Sequence, residues 1–176
     1  MYVVLGRFQP FHKGHEYLVE HALRLGPTTI AIGSSESAID FDNPWIAEER
    51  KQMISRWLGQ REANIVLIPD INDPPNYVAH AKKFHGDGIL VTSDLATKQL
   101  YEDAGYEVMY VELENRDSYE GWRVRTTLKM LSTVYEEEAQ KQVMSVSIPV
   151  PVVDWLIEND GLHRLYSMSK DIERVG

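Results

Sequence analysis

The stretch Gly6-Arg7-Phe8-Gln9-Pro10-Phe11-His12-Lys13-Gly14-His15 decides how this chain folds, because it joins an apolar run to a helical pattern. The run Tyr2 to Leu5 precedes it, and apolar residues recur at helical spacing between Glu16 and Leu25. We therefore predict a strand, a loop and a helix, in that order. His12 and His15 are three positions apart, so they share a face of the first helical turn, where backbone N–H groups have no partner within the helix.

This loop has the composition of an anion-binding site. Gly14 has no Cβ and opens the backbone to a bulky oxyanion, while Arg7 and Lys13 add positive charge at the positive end of the helix dipole. For His12 alone a hydrogen bond to a nearby carbonyl is the simpler reading, but the whole group favours a bound phosphate. The spacing fits neither a Walker loop nor the dinucleotide Gly-x-Gly-x-x-Gly pattern, so we expect side chains as well as backbone to hold the phosphate.

Apolar runs alternate with helical patterns up to residue 113. The runs are at 2–5, 29–32, 65–68, 89–91 and 108–113, and the helical patterns are around 14–25, 45–58, 77–84 and 94–104. This alternation predicts an α/β fold with a five-stranded parallel sheet flanked by helices. Because right-handed crossovers bring the carboxyl ends of the strands to one edge, Gly6, Gly33, Pro69 and Thr92 are expected along the edge where a ligand binds.

Length and charge limit what the protein does. For 176 residues we expect a single domain over 1–176, with an α/β core at 1–113 and a C-terminal helical cap at 114–176 that includes helical patterns at 122–135 and 151–159. The net charge of −9 repels nucleic acid, so any basic site is local. Cysteine is absent, and neither a membrane-spanning stretch nor a signal peptide is recognisable, so a cytoplasmic protein without a membrane partner is expected.

Arg50 lies on the apolar face of the predicted helix at 45–58. The other residues of that face are Ile46, Met53, Ile54 and Trp57. Asn43-Pro44 is typical of the start of such a helix. An arginine on this face extends to solvent, pairs with a carboxylate such as Glu48 or Glu49, or reaches a buried anion, and the helix pattern alone leaves these readings open.

The segment Gly121-Trp122-Arg123-Val124-Arg125 follows a polar turn at 115–118 and opens a second helix that carries arginines. The apolar face of this helix includes Val124, Leu128 and Leu131. Arginines in a first turn oppose the helix dipole, and an oxyanion facing Arg123 or Arg125 explains such a placement. A surface arginine costs little, so a structural reading stays equally open for each.

The loops after the second and third strands, with one tryptophan, are candidates for binding a small molecule. The residues concerned are Gly33, Ser34, Asp73, Asn76, Tyr77 and Trp45. The glycine and serine offer backbone donors and a hydroxyl, the aspartate and asparagine suit an amide or a ribose, and the two aromatic rings suit stacking on a flat ring. Asp, Asn and Pro are also ordinary turn formers, which is the competing structural explanation.

These residues resemble the nucleotidyltransferase superfamily that carries His-x-Gly-His after its first strand, here His12-Lys13-Gly14-His15. More narrowly, nearly the whole chain is similar to the archaeal type of nicotinamide-mononucleotide adenylyltransferase. The stretches that carry this similarity are 6–15, 32–34, Asn43-Pro44-Trp45-Ile46-Ala47-Glu48-Glu49-Arg50, Gly105-Tyr106-Glu107-Val108 and the helix around 151–156, of which the first and third are specific. Where the family commonly has Ser-Gly-Thr, this chain has Glu120-Gly121-Trp122.

The resemblance implies a Rossmann-like sheet and the reaction of ATP with nicotinamide mononucleotide to give NAD and pyrophosphate, by in-line transfer without a covalent enzyme intermediate. It also implies a divalent metal ion and a homo-oligomer, often a hexamer. Because nothing in the sequence looks like a dedicated metal site, we expect Mg²⁺ to be bound through the ATP phosphates and water. By position, the residues that match the catalytic triphosphate-binding set are His12, His15, Arg50 and Arg125. Arg7 and Phe8 match the loop that backs the nucleotide, and the residues that match the mononucleotide side are Gly33, Ser34, Asp73 and Asn76. Gly6, Lys13 and Gly14 are candidates for binding phosphate from their place in the loop.

Two other functions stay open at this point. One is adenylyl transfer to a different phosphate acceptor, such as flavin mononucleotide or phosphopantetheine. The other is a regulatory module that binds ATP or NAD without releasing pyrophosphate. A nucleic-acid-binding role is disfavoured by the net charge of −9 and by the lack of a basic run interleaved with aromatic residues.

Overall fold

The computed structural model describes residues 1–114 and 116–172. The chain forms two compact units that are interleaved in sequence. The first unit contains Met1–Arg7, Gly14–Ser37 and Gln60–Glu114, and the second contains Phe8–Lys13, Ala38–Gly59 and the described residues from 116 onward. The single domain expected over 1–176 stays a prediction, and the sequence carries no sign of this interleaving.

Strands and helices fall close to where the sequence predicts them. The strands are β1 (Tyr2–Gly6), β2 (Thr28–Ile32), β3 (Asn64–Leu67), β4 (Ile89–Thr92) and β5 (Val108–Tyr110). The α-helices of the described residues are α1 (Lys13–Leu25), α2 (Ala47–Leu58), α3 (Tyr77–His85), α4 (Leu95–Asp103), α5 (Gly121–Leu131), α6 (Glu137–Met144), α7 (Val150–Glu158) and α8 (Gly161–Ile172). None of these helices is long and apolar enough to cross a membrane.

The first unit is built on the five-stranded parallel sheet, in the order β3-β2-β1-β4-β5. Every neighbouring pair of strands is parallel, and Gly6 at the end of β1 lies opposite Ile32 at the end of β2. The predicted Rossmann-like α/β fold is thus confirmed. Strand β2 is buried along its whole length, as expected for a central strand covered on both faces. The strand order reverses between β1 and β4, which is where such sheets bind ligands.

Backbone hydrogen bonds show that the carboxyl ends of the strands share one edge. The N–H of Gly33 donates to the carbonyl of Gly6 over 2.9 Å, and the N–H of Ser35 donates to the carbonyl of Ile68 over 3.0 Å. At the end of β4, the carbonyl of Thr92 accepts from Val111 over 2.9 Å. The first unit therefore places these strand ends together as predicted.

The second unit consists of the loop 8–13, helix α2 and helices α5 to α8. Its aromatic core includes Phe8, Phe11 and Trp57, with ring centroids 5.9 Å apart for the first pair and 4.8 Å apart for the second. The predicted pattern at 122–135 is wrong at its end, because α5 stops at Leu131. The sequence also did not reveal the bounds of α6, which has eight residues of which Met144 is buried. Nor did it reveal α8, which begins at Gly161 directly after Asn159 and Asp160, a combination that is typical of a turn.

Candidate active site

The loop 8–13 is fixed by a glutamine that sequence reasoning overlooked. The side-chain amide of Gln9 donates to the carbonyl of Trp45 over 2.8 Å, and its oxygen accepts from the N–H of Trp45 over 3.1 Å. Phe8, which is fully buried, has a φ of 53°, a left-handed conformation that costs a non-glycine residue about 1–3 kcal/mol. Packing and the paired amide bonds therefore hold the loop in one unusual shape. In the sequence, the signal for this role is an amide side chain between apolar loop residues.

Arg125, on helix α5, is buried and binds the loop 8–13. Its side chain is 3% exposed, and one terminal nitrogen donates to the carbonyl of Gln9 over 3.0 Å. The other terminal nitrogen donates to a carboxylate oxygen of Asp42 over 2.8 Å. A Cβ added at Gly121 would lie 3.1 Å from the guanidinium, so the absence of a side chain there makes room for it. Asp42 was not predicted, because an exposed loop aspartate carries no signal of its partner.

The structure distinguishes Arg125 from Arg123, which the sequence could not. The Arg123 guanidinium stacks over the Trp122 ring at 4.7 Å and donates to Glu120, and both side chains are exposed. The Trp122 indole N–H also donates to Glu120, over 2.7 Å. This exposed trio is a solvated surface group, as the structural reading of Arg123 requires.

His12 is buried beside Arg125 and stays neutral. Its ring stacks on Tyr119 with centroids 6.4 Å apart and planes 14° apart. Burial, and then the positive charge of Arg125, lower the pKa of His12 to about 3. At neutral pH the imidazole therefore offers one N–H donor and one acceptor nitrogen rather than a charge. Tyr119, in a short 3₁₀ turn, was not predicted.

Arg50 is also buried, with 1% of its surface exposed, on a face of α2 formed with Ala47, Met53, Ile54, Trp57 and Leu58. Two predictions about this helix are wrong. Ile46 is exposed and does not belong to the face, and Asn43 does not cap the helix, which begins at Ala47. The N-cap position is instead occupied by Ile46, three residues after Asn43. Its backbone N–H donates to the carboxylate of Glu49 over 3.0 Å.

Lys13 hydrogen-bonds to the segment between α6 and α7. Its ammonium donates to the carbonyl of Ser145 over 2.6 Å, and its backbone N–H donates to the carbonyl of Ser147 over 2.8 Å. The lysine thus fixes the chain between α6 and α7. Its part in binding phosphate stays a prediction.

The remaining loop candidates lie in the first unit. Gly6 ends β1, Arg7 is exposed, and Gly14 and His15 lie in the first turn of α1, the glycine buried and the histidine half-buried. The binding of phosphate by these four residues stays a prediction.

The strand-end loops of the first unit hold the candidates for the mononucleotide. Gly33 is buried, and Ser34 has a φ of 49°, an uncommon conformation of the kind found at ligand-binding turns. Asn76 donates from its amide to the carboxylate of Asp73 over 2.7 Å, and its backbone N–H donates to the Asp73 carbonyl. These two side chains close a turn, so the structural explanation accounts for them. The hydroxyl of Tyr77 lies 3.6 Å from the position of a Cβ added at Gly33.

Both aromatic candidates are less open than the sequence suggests. Trp45 is 1% exposed, so its ring offers no face to a base in this conformation. Tyr77 is half-buried, and burial, with the nearby charge of Asp70, raises the pKa of its hydroxyl. Its hydroxyl therefore remains protonated and able to donate at neutral pH.

Taken by unit, the predicted residues form two groups. The second unit brings His12 and Arg125 together and contains Arg50; we call these three residues the cationic cluster. The first unit brings Gly6 and Gly33 together at the sheet edge. Together with the strand order, these features define a Rossmann-like α/β protein with side chains suited to oxyanions.

Comparison with known proteins identifies the family. Residues 3–148 match the family model described as cytidylyltransferase-like. A nicotinamide-nucleotide adenylyltransferase of Thermoplasma volcanium is 33% identical over 180 aligned positions, covering 98% of this chain and 94% of that protein. The protein of the same name from Archaeoglobus fulgidus is 30% identical over 175 positions, covering 94% and 95%. This chain therefore belongs to the cytidylyltransferase-like family, and it is a nucleotidyltransferase like these relatives.

Solved structures share the fold. A bifunctional NMN adenylyltransferase/ADP ribose pyrophosphatase from Francisella tularensis, complexed with AMP and a manganese ion, superposes with a TM-score of 0.70 at 18% identity over 98% of this chain. A second structure of such a protein from that organism gives 0.62 at 24% identity over 73%. This chain spans only 53% and 42% of those two chains. At this identity the likeness establishes the fold alone.

Proposed function

We propose that this protein transfers the adenylyl group of ATP to nicotinamide mononucleotide, giving NAD and pyrophosphate. The observation that carries the proposal is the cationic cluster, two buried guanidinium groups and a buried imidazole in one unit of a protein with a net charge of −9. Guanidinium forks match phosphate oxygens and hold them in fixed geometry. The names of the relatives from Thermoplasma volcanium and Archaeoglobus fulgidus support the choice of acceptor.

The reaction needs no protein nucleophile. An oxygen of the mononucleotide 5′-phosphate forms a bond to the α-phosphorus of ATP, and the bond from that phosphorus to the bridging oxygen of the β-phosphate breaks, so pyrophosphate leaves with the electron pair. Catalysis then consists of positioning and of stabilising negative charge. We assign pyrophosphate to Arg50 and Arg125, and hydrogen-bond donation to the phosphate oxygens to His12 and His15.

The side chains of this site fit a metal ion that arrives with its substrate. Among residues 1–114 and 116–172, no group of three or more His, Cys, Asp or Glu could hold a metal ion. The cluster is cationic, so its chemistry matches phosphate rather than Mg²⁺. We therefore propose that Mg²⁺ enters as the Mg–ATP substrate, bound to phosphate oxygens and water. The Francisella structure with AMP and a manganese ion is consistent with a divalent ion in such proteins.

A panel of acceptors tests this function directly. The protein is incubated with Mg–ATP and, separately, nicotinamide mononucleotide, nicotinic acid mononucleotide, flavin mononucleotide or phosphopantetheine, and products are identified by mass spectrometry alongside pyrophosphate release. We expect NAD from the first of these. Product from only flavin mononucleotide or phosphopantetheine would move the assignment to that acceptor. ATP binding without pyrophosphate release in any arm would identify a regulatory module.

We also propose that the protein assembles into a homo-oligomer and is located in the cytoplasm. Assembly into a homo-oligomer, with a hexamer as the expected size, is measured by light scattering on the purified chain. A cytoplasmic location is measured by fractionation of cells that express it.

A further inference from the structure

The loop 40–46 in the second unit is ordered by its own hydrogen bonds. One carboxylate oxygen of Asp40 accepts from the backbone N–H of Asp42 over 2.9 Å and from that of Asn43 over 2.7 Å. An aspartate that binds the next residues in this way closes an Asx turn. These hydrogen bonds therefore hold the first part of the loop in one conformation.

This loop contacts two of the segments that carry candidate phosphate-binding residues. Asp42 binds the buried guanidinium of Arg125 over 2.8 Å. At the other end, Trp45 exchanges two backbone hydrogen bonds with the side chain of Gln9, three residues before His12. A shift of the loop therefore moves the partners of Arg125 and of the loop 8–13 at once.

A single arginine from the C-terminal helix α8 fixes the end of this loop. One terminal nitrogen of Arg164 donates to the carbonyl of Pro44 over 3.1 Å and to Glu49 over 2.6 Å, and the other donates to Glu49 over 2.7 Å. The same carboxylate binds the N–H of Ile46 over 3.0 Å and so caps α2. Arg50 is the next residue along that helix. The fork of Arg164 thus joins the loop 40–46 and the start of α2 in one network.

We propose that Arg164 is a positioning residue for the triphosphate, acting through Pro44 and Glu49 on Arg50 and Arg125; this inference rests on the proposed function. Phosphoryl transfer depends on where these guanidinium groups stand, and a displacement of about 1 Å costs on the order of 100-fold in rate. The planar guanidinium binds both carboxylate oxygens in parallel while it also reaches a carbonyl, and the single ammonium of a lysine does not reproduce this fixed geometry.

A second arginine provides a matched control. Arg56, near the end of α2, also donates from both terminal nitrogens to one carboxylate, that of Glu158 on α7, over 2.5 Å and 2.7 Å. Both pairs join α2 to a C-terminal helix, but the Arg56–Glu158 pair lies near the end of α2, whereas Glu49 lies at its start, next to the loop 40–46. A residue with a merely structural role should therefore behave like Arg56.

The experiment compares Arg164→Gln, Arg164→Lys, Glu49→Gln and Arg56→Gln in the full chain, with kcat and KM measured separately for ATP and for nicotinamide mononucleotide at a temperature well below each Tm. We expect kcat/KM for ATP to fall about 10-fold in Arg164→Gln and Glu49→Gln, with KM for the mononucleotide within about 2-fold of wild type. Arg164→Lys should recover little of the loss. Arg56→Gln should match wild type in both constants, even if its Tm falls. Arg164→Gln combined with Glu49→Gln should cost no more than either alone, because both break one network.

Equal kinetics in Arg164→Gln and Arg56→Gln would overturn the proposal, and so would full recovery in Arg164→Lys. If Arg164→Gln does not fold, Glu49→Gln decides between the same outcomes. If the wild-type chain forms no NAD, the proposed function fails first, and calorimetric titration with Mg–ATP then tests the inference alone. In that case weaker ATP binding in Arg164→Gln but not in Arg56→Gln supports positioning, and equal binding contradicts it.

Discussion

The cationic cluster of the second unit and the strand-end loops of the first unit treat their polar side chains in opposite ways. In the second unit, Arg50, Arg125 and His12 are at least nine-tenths buried. In the first unit, Asp73 and Asn76 bond to each other on the surface and complete a turn. Burying charge costs several kcal/mol unless partners compensate, whereas a turn of polar residues costs nothing unusual. The contrast is therefore one between buried polar side chains and polar side chains that complete a surface turn.

The difference also explains which substrate the structure supports most strongly. Buried guanidinium groups and a neutral imidazole suit the triphosphate of ATP, because phosphate oxygens accept from both. The loops around Gly33 and Tyr77 offer a backbone edge and the hydroxyls of Ser34 and Tyr77, which suit several acceptors. Experiments that affect one unit and spare the other therefore test the contrast.

The largest effect is expected from Arg125→Ala. Loss of a guanidinium that holds leaving pyrophosphate should lower kcat/KM for ATP by about 100-fold, and KM for nicotinamide mononucleotide should change little. A coupled assay of NAD formation measures both. Arg123→Ala, in the same helical turn but exposed, is the control and should remain within about 2-fold. If both variants keep wild-type turnover and ATP affinity, Arg125 is a structural residue.

Acid stability provides the second test. His12 has a pKa of about 3 in the folded chain and 6.5 as a free side chain, so the unfolded state binds its proton more readily between these values. The contribution of neutral His12 to the free energy of unfolding is therefore complete above pH 6.5. It is lost as the pH falls toward 3, and the loss is about 2 kcal/mol at pH 5. Urea unfolding at pH 7 and pH 5 measures this loss.

His12→Gln is the control for that measurement, because the variant cannot take up the proton. His85 is also buried, and burial lowers its pKa, so both proteins retain that common slope. The wild type should lose about 2 kcal/mol more than the variant between the two pH values. Parallel loss in the two proteins would show that His12 titrates normally.

Two glycine substitutions should affect the kinetic constants for ATP and for nicotinamide mononucleotide differently. In Gly121→Ala the new Cβ meets the Arg125 guanidinium at 3.1 Å, so the arginine must shift, and we expect kcat/KM for ATP to fall about 10-fold. In Gly33→Ala the new Cβ has ordinary contacts from 3.6 Å, so folding is unaffected. Any loss there should appear in KM for the mononucleotide. If either variant changed the kinetic constants for both substrates equally, the assignment of ATP phosphates to the second unit and of the mononucleotide to the first would be contradicted.

The smallest effect is expected from Asn76→Ala. Its amide bonds to Asp73, so removing it should cost about 1 kcal/mol of stability and change KM for nicotinamide mononucleotide by less than about 3-fold. Thermal unfolding and steady-state kinetics check both values. Asp73→Ala should give the same result, since the two side chains share one bond. A 10-fold rise in KM in either variant would return these residues to the mononucleotide site.

The strands and most helices could be predicted from the sequence because their apolar residues recur with a regular period. Apolar runs and helical spacing predicted the strands and most helices to within a few residues, and the order of strands and helices implied a parallel sheet. The capping of α2 by Glu49 rather than Asn43, and the exposure of Ile46, were misjudged, because a cap depends on where the chain enters the helix. Helix α6 was missed because eight residues carry too little periodicity, and α8 because it begins at a glycine that follows two typical turn residues.

By itself, the sequence determined the α/β class, the loop after β1 and the two arginines that are unusual in their helices. Those features depend on residue type and on spacing along the chain, which are local properties. Only the tertiary structure decided that Arg125 is buried while Arg123 is exposed, and that Asp42, Gln9 and Arg164 fix the surrounding loops. These pairings join residues up to 120 positions apart, as between Pro44 and Arg164, and no pattern along the chain encodes such contacts. They form because a buried polar group must find its partner wherever packing brings one within reach.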